Sequence, residues 1–202
     1  FRSAAIYGGT FNLLDVTMRK MGIDVTFVSP DSTIDEIIAA AKPNTKCVFA
    51  ETLSNPSLVV LDIETFAAAA HQIGVPLIVD NTFPTPINCQ PIRFGADIVT
   101  HSTTKYMEGH ASTIGGVIVD SGNFDWTAHA EKYPGLCTPD ESYHGITYTE
   151  KFGKAAYITK ATAQLMRDLG SVQAPLNAFL LNLGLETLPL RVKKHCENAQ
   201  IG

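Results

Sequence analysis

Paired cysteines, basic clusters and long apolar runs are all missing from this 202-residue chain, and each absence removes a class of protein. The four cysteines, Cys47, Cys89, Cys137 and Cys196, are far apart and form no CxxC pair. A disulfide framework is therefore not expected, and a reducing, cytoplasmic setting is. No Cys or His pair stands at the short spacings of a zinc site, so no metal is expected. Fifteen Lys and Arg against 20 Asp and Glu leave a net charge of −5, with no basic run to meet a nucleic acid. The longest apolar stretches are too short to cross a bilayer, and the opening residues lack the pattern of a secretory signal. Internal repeats and low-complexity linkers are missing as well.

Three active-site fingerprints are also absent. No GxGxxG follows a first strand, which argues against a dinucleotide-binding domain with Asp80 on a ribose. Gly8-Gly9 leads into no Gly-Lys-Ser/Thr, so it is not a nucleotide phosphate loop. Ser112, in Gly109-His110-Ala111-Ser112, does not sit in the GxSxG elbow of a serine hydrolase.

What is present is an ordinary globular balance, 45% apolar and 17% charged, at a length suited to one fully cored domain. From Thr10 to about Asp120 helical and strand patterns alternate at short intervals, which predicts an α/β fold with a mostly parallel sheet between helices. A first helix is expected from near Thr10, with Leu14, Met18 and Met21 on one face and Gly22 closing it. Thr33 and Glu36 form a capping-box pattern for a second. Asp62 can cap a third, in which Phe66, Ala69, Ala70 and Ile73 share a face before Gly74. Strands are expected at Val25–Ser29, Cys47–Thr52, Pro76–Val79, Asp97–His101 and Gly116–Asp120. The last three read as apolar runs of a central sheet covered on both faces. Ser121 to Tyr148 reads as loops with a helix near Asp125–Glu131. Helices follow at Lys151–Leu169 and from about Ala174, the latter interrupted at Gly184 and Pro189.

In an open parallel sheet, ligands bind beyond the carboxyl ends of the strands. One predicted strand ends at Glu51 and leads to Ser54-Asn55-Pro56. The next ends at Asp80-Asn81-Thr82, and another runs into Ser102-Thr103-Thr104-Lys105. An amide, a carboxylate, hydroxyls and an amine would meet in one crevice. That set matches the needs of pyridoxal 5'-phosphate: a lysine for a Schiff base, an acid for the ring nitrogen, and hydroxyls for the phosphate. Lys105, Asp80, Ser102 and Thr104 would fill these roles. Taken singly, each has a plainer reading, as turn former, helix cap or surface charge. His71 and His195 read as packing or surface residues, and His101 and His110 flank the lysine loop.

These motifs, with Tyr7-Gly8-Gly9-Thr10, Gly109-His110 and Gly115-Gly116, resemble the Cys/Met-metabolism pyridoxal-phosphate enzymes over nearly the whole chain. The resemblance implies the large domain of the aspartate-aminotransferase-like fold, fold type I. It implies Lys105 as the Schiff-base lysine, Asp80 on the ring nitrogen, Asn55 on the phenolic oxygen, and Ser102 and Thr104 on the phosphate. Tyr7 would stack on the cofactor and act with Lys105 in catalysis, and Glu51 would be a supporting acid near Asn55.

Within the family, Trp126 to Gly135, Pro139 to Gly145 and Gly184 to Arg191 resemble the O-acetylhomoserine sulfhydrylase branch. The implied reaction is γ-replacement: sulfide displaces acetate from O-acetyl-L-homoserine to give L-homocysteine in methionine and cysteine biosynthesis. Cystathionine γ-synthase and the cystathionine and methionine γ-lyases share the cofactor residues and stand as alternatives, as does a non-catalytic protein retaining the fold. The family's glycine-containing phosphate segment, its Tyr/Arg pair that reaches a neighbour's phosphate, and its arginine for the substrate carboxylate are not found here. The expectation is therefore a piece of a longer chain: residues 1–185 a catalytic large domain incomplete on its N-terminal side, and 186–202 the start of a helix into a further domain. The resemblance also implies a homotetramer with shared sites.

Overall fold

The computed structural model describes residues 2, 3 and 6–201, the first two by backbone alone. Among these residues six strands form one sheet: β1 (Arg2–Ser3), β2 (Phe27–Val28), β3 (Val48–Glu51), β4 (Leu77–Asp80), β5 (Ile98–Ser102) and β6 (Gly116–Asp120). Their order across the sheet is β2-β1-β3-β4-β5-β6. All neighbours pair in parallel except β6, which runs antiparallel to β5. Among the described residues, nine α-helical segments accompany them: α1 (Gly8–Asn12), α2 (Ile34–Ala39), α3 (Ile63–Ile73), α4 (Thr85–Asn88), α5 (Pro134–Cys137), α6 (Tyr148–Phe152), α7 (Ala156–Lys160), α8 (Arg167–Leu169) and α9 (Pro175–Ile201).

The early helices start where the sequence supplies caps. Thr33 accepts from the Glu36 N–H at 3.3 Å, and Glu36 accepts from the Thr33 N–H at 2.8 Å, so two orphan donors of α2 are satisfied reciprocally. Asp62 accepts from the Thr65 N–H at 3.1 Å to open α3. Gly74 ends α3 at φ +73°, a left-handed conformation that costs glycine least. α1 begins two residues earlier than expected and continues through a π-helical stretch, Leu13–Thr17, and a 3-10 turn, Arg19–Met21, to Gly22.

Alternation along the strands sorts the core onto two faces. Val48, Ala50, Leu77, Val79 and Val99 point to α2 and α3, where they meet Ile37, Phe66, Ala69 and Ala70. On the other face Ile98 and Ile78 pack with Trp126, Leu136, Tyr148 and Ala156. A cleft of about 1130 Å³ opens on that side, between the strands and α7 with its π-helical continuation.

Three expectations need correction. β6 is not a covered central strand; among the described residues it is the antiparallel edge, with Ile118 and Val119 more than 40% exposed. Apolar composition reports neither strand direction nor place in the sheet. The helix expected near Asp125–Glu131 is only a 3-10 turn at Thr127–His129. Pro189 and Gly184 do not interrupt the final helix, and α9 runs unbroken through both, across position 185. Proline removes only the donor to the Leu185 carbonyl. Gly184 is a contact point, where a Cβ would lie 2.2 Å from the Glu108 carbonyl oxygen. The 148–169 region is helical too, broken at Gly153 where the backbone leaves the helix.

Replacing Phe66, whose side chain is inaccessible to solvent, with Ala should lower stability by about 3–5 kcal/mol. Urea unfolding measures this; a loss under about 1 kcal/mol would mean that the α3 layer is not the core described.

Candidate active site

The register of the sheet builds the site. Glu51 pairs with Asp80 and Asp80 with Thr100, so these side chains lie in one row on one face, with Ser102 two residues further along β5. This is the carboxyl end of the parallel strands, the edge where the sequence placed its candidates.

Thr82 joins β4 to β5. Its hydroxyl donates to Asp80 Oδ1 at 2.5 Å and accepts from the Ser102 N–H at 2.9 Å, while its own N–H donates to the same Oδ1 at 2.9 Å. One oxygen of Asp80 is thus held by two donors. The other, Oδ2, accepts no hydrogen bond among the described residues and is not sealed from solvent. Sequence reasoning missed Thr82 as a site residue; the signal was its position, one residue beyond the Asp80-Asn81 strand end.

After Ser102 the chain makes a tight turn. The Lys105 N–H donates to the Ser102 carbonyl at 3.3 Å, and the Glu108 and Gly109 N–H groups donate to Thr103 and Lys105 carbonyls at 3.0 and 2.9 Å. The Lys105 side chain is exposed, and its ammonium makes no hydrogen bond or ion pair among the described residues. It lines a cavity of about 890 Å³ with Thr104, Tyr106, Ser112, Arg191 and His195. Asp80 and Ser102 are not part of that lining; they connect to Lys105 through Thr82 and the turn.

Thr104 is already engaged: its hydroxyl accepts from the Gly115 N–H at 3.1 Å and donates to the Gly115 carbonyl at 3.3 Å. The hydroxyl of Ser102 and the amide of Asn55 make no hydrogen bond among the described residues. The backbone N–H of Tyr7 donates to Glu51 Oε1 at 2.9 Å, which ties the Tyr7 segment to the end of β3. Glu51 therefore serves Tyr7, a link that spacing did not reveal. The Tyr7 ring is about half exposed and lies against Gly9, where a Cβ would come within 2.5 Å of it.

Neither flanking histidine offers a ready catalyst. Burial pushes the His101 imidazole down, against a smaller opposing pull from Asp80, and the buried Nδ1 has no partner among the described residues. His110 folds onto the lysine turn, with Nδ1 at 2.7 Å from the Glu108 carbonyl oxygen. Its N–H donates to the buried Glu108 carboxylate, which also accepts from the Ser112 hydroxyl at 2.7 Å; these bonds, the Ser112 hydroxyl first, hold Glu108 below the ordinary carboxylate range. His71 is paired with Asp97, and the His195 ring lies tilted against Tyr106.

The donor set fits pyridoxal phosphate: an acid with one oxygen held and one open, an amine without a partner, an open amide and an open hydroxyl. Thr104 fits less directly, because its proton must leave the Gly115 carbonyl to reach a phosphate oxygen.

Substituting Thr82 by Val leaves the Ser102 N–H without its acceptor and should cost about 1–3 kcal/mol. Thr82→Ser should recover most of it. Denaturant unfolding of the pair decides; a Thr82→Val chain as stable as the wild type would show that the hydroxyl bridge contributes nothing to stability.

A family model of Cys/Met metabolism PLP-dependent enzymes matches residues 2–201. The chain is 47% identical over 195 residues to homocysteine/cysteine synthase of Saccharomyces cerevisiae, covering 96% of this chain and 44% of that protein. It is 44% identical over 205 residues to O-acetyl-L-homoserine sulfhydrylase of Leptospira meyeri, covering 98% and 46%. A crystal structure from Campylobacter jejuni, described as an O-acetylhomoserine (thiol)-lyase with a pyridoxyl-lysine phosphate, superposes with a TM-score of 0.92 at 36% identity, over 98% of this chain and 49% of that one. The chain thus spans about half the length of the relatives it matches. Its mostly parallel sheet between helices is the fold type I arrangement of such enzymes, and by sequence and fold alike it belongs to the Cys/Met-metabolism PLP-dependent enzyme family.

Proposed function

We propose that this chain is the cofactor-binding part of an enzyme that joins O-acetyl-L-homoserine and sulfide to give L-homocysteine and acetate. The observation that carries the reading is the linked pair at the strand ends: Asp80, oriented by Thr82 with one oxygen open, and Lys105 on the turn that follows Ser102. Relatives named for homocysteine synthesis and for O-acetylhomoserine sulfhydrylation support the substrate assignment.

Pyridoxal phosphate, when bound, supplies an electron sink for charge developing at the substrate α-carbon. Lys105 would hold the cofactor through its amine, and the same amine would take and return protons at the substrate α-carbon. Asp80 would keep a proton on the ring nitrogen through Oδ2, since Oδ1 already accepts two hydrogen bonds from Thr82. Asn55 would donate to the phenolic oxygen, and Ser102 and Thr104 would donate to the phosphate. Tyr7 would stack on the cofactor and act with Lys105. In the net change, the Cγ–O bond to acetate breaks and a Cγ–S bond to sulfide forms.

Residues 1–185 make up the large domain on this reading, and 186–202 lead into a further one. Subunits complete each other's sites, which the exposed Tyr7 and Ile114, one tied to Glu51 and the other lining the Lys105 cavity, support. A cytoplasmic setting suits the four free cysteines. No helix among the described residues is long and apolar enough to cross a membrane.

The chain incubated with pyridoxal phosphate should turn yellow, and borohydride should fix the cofactor on Lys105, as peptide mass mapping reads. Lys105→Ala should abolish the band; a band of full intensity in that variant rules the assignment out. Asp80→Asn should keep the adduct and lower homocysteine formation by on the order of 10²–10³. Unchanged turnover would mean that Asp80 does not serve the ring nitrogen. Comparing products from O-acetylhomoserine with sulfide, from O-acetylhomoserine with cysteine, and from methionine alone separates this reaction from its sister activities.

A further inference from the structure

The lysine turn is held from outside by α9. Within the turn, backbone donors satisfy the carbonyls of Ser102, Thr103 and Lys105. The Tyr106 and Met107 carbonyls lie at its end, where no further turn of helix supplies donors. Arg191 reaches both, with Nη1 donating to Tyr106 O at 2.7 Å and Nη2 to Met107 O at 3.3 Å. The same guanidinium is anchored to its own helix: Nη2 donates to Gly184 O at 2.7 Å and Nε to the Thr187 hydroxyl at 3.0 Å. Four acceptors on two elements therefore share one planar fork, an arrangement that a lysine ammonium cannot reproduce.

Packing follows the same line. Gly184 brings the α9 backbone against the Met107 and Glu108 carbonyls, where a Cβ would lie 2.5 and 2.2 Å away. Below it, the buried Leu188 and Val192 close on Met107. Arg191 also lines the cavity that holds Lys105. The Lys105 side chain has no polar partner of its own among the described residues, so the backbone of the turn sets where its amine stands.

We propose that Arg191 is the positioning residue for Lys105: by satisfying the last two carbonyls of the turn, it fixes the backbone from which the amine projects. The stretch Gly184 to Arg191 is then a clamp, with glycine for close approach and arginine for the bond. The bearing on cofactor chemistry rests on the function proposed above; the clamp itself does not.

The test compares the wild-type chain with Arg191→Gln and Arg191→Lys. Hydrogen exchange read by mass spectrometry follows residues 103–109, with α3 as the internal reference. Cofactor is then added, and the pH midpoint of the yellow Lys105 band is titrated. Both variants should exchange at least tenfold faster over 103–109 with α3 unchanged, and both should shift the midpoint. Arg191→Lys keeps the charge and the long stem, so it reports on the clamp if the glutamine variant does not fold. Exchange over 103–109 that rises no more than in α3 overturns the clamp. Faster exchange with an unmoved midpoint overturns the positioning role. A wild-type chain that gives no adduct at Lys105 sinks the cofactor reading instead, and the exchange result still judges the clamp.

Discussion

Everything at the strand ends depends on one hydroxyl shared between two parallel strands. The Thr82 hydroxyl accepts a hydrogen bond from the Ser102 N–H and donates one to Asp80, which fixes a carboxylate on β4 relative to the backbone that leads out of β5. Parallel strands align their carboxyl ends, and the β4–β5 pairing ends at Asp80 and Thr100. What closes the gap is a side-chain bond. Because the hydroxyl is donor to one strand and acceptor from the other, an apolar replacement cannot mimic it and a smaller hydroxyl residue can.

That bridge also divides the work of Asp80. Oδ1 is held by Thr82 and Oδ2 is left open, so on the proposed function orientation and chemistry are separated on one carboxylate. A similar division holds for Glu51, which belongs to β3 but secures the backbone of Tyr7. The site is thus assembled from strand ends, each lending one polar group to the next segment. The chain spans about half the length of its matched relatives.

Much of this was legible in the order of residues. The caps at Thr33 and Asp62, the αL glycine at 74 and the apolar faces of α3 are local signals, and local signals decided those elements. Asp80, Ser102, Thr104 and Lys105 stood out because turn-forming polar residues ended apolar runs. What could not be read was anything decided by distant contacts. β6 is as apolar as β4, yet it runs the other way, because direction depends on where the chain can return after the lysine turn. Gly184 and Pro189 look like breakers within α9. One is instead the point of closest approach to residues 107 and 108, and the other costs a single donor in a long helix. Thr82 and Arg191 act across 20 and 85 positions of sequence, beyond any spacing rule.

A crystal structure of the chain with pyridoxal phosphate is the most direct trial. Continuous density from Lys105 Nζ to the cofactor, with Asp80 Oδ2 hydrogen-bonded to the ring nitrogen and Thr82 still on Oδ1, is the predicted result. A cofactor bound elsewhere, or one whose ring nitrogen faces away from Asp80, would contradict the account.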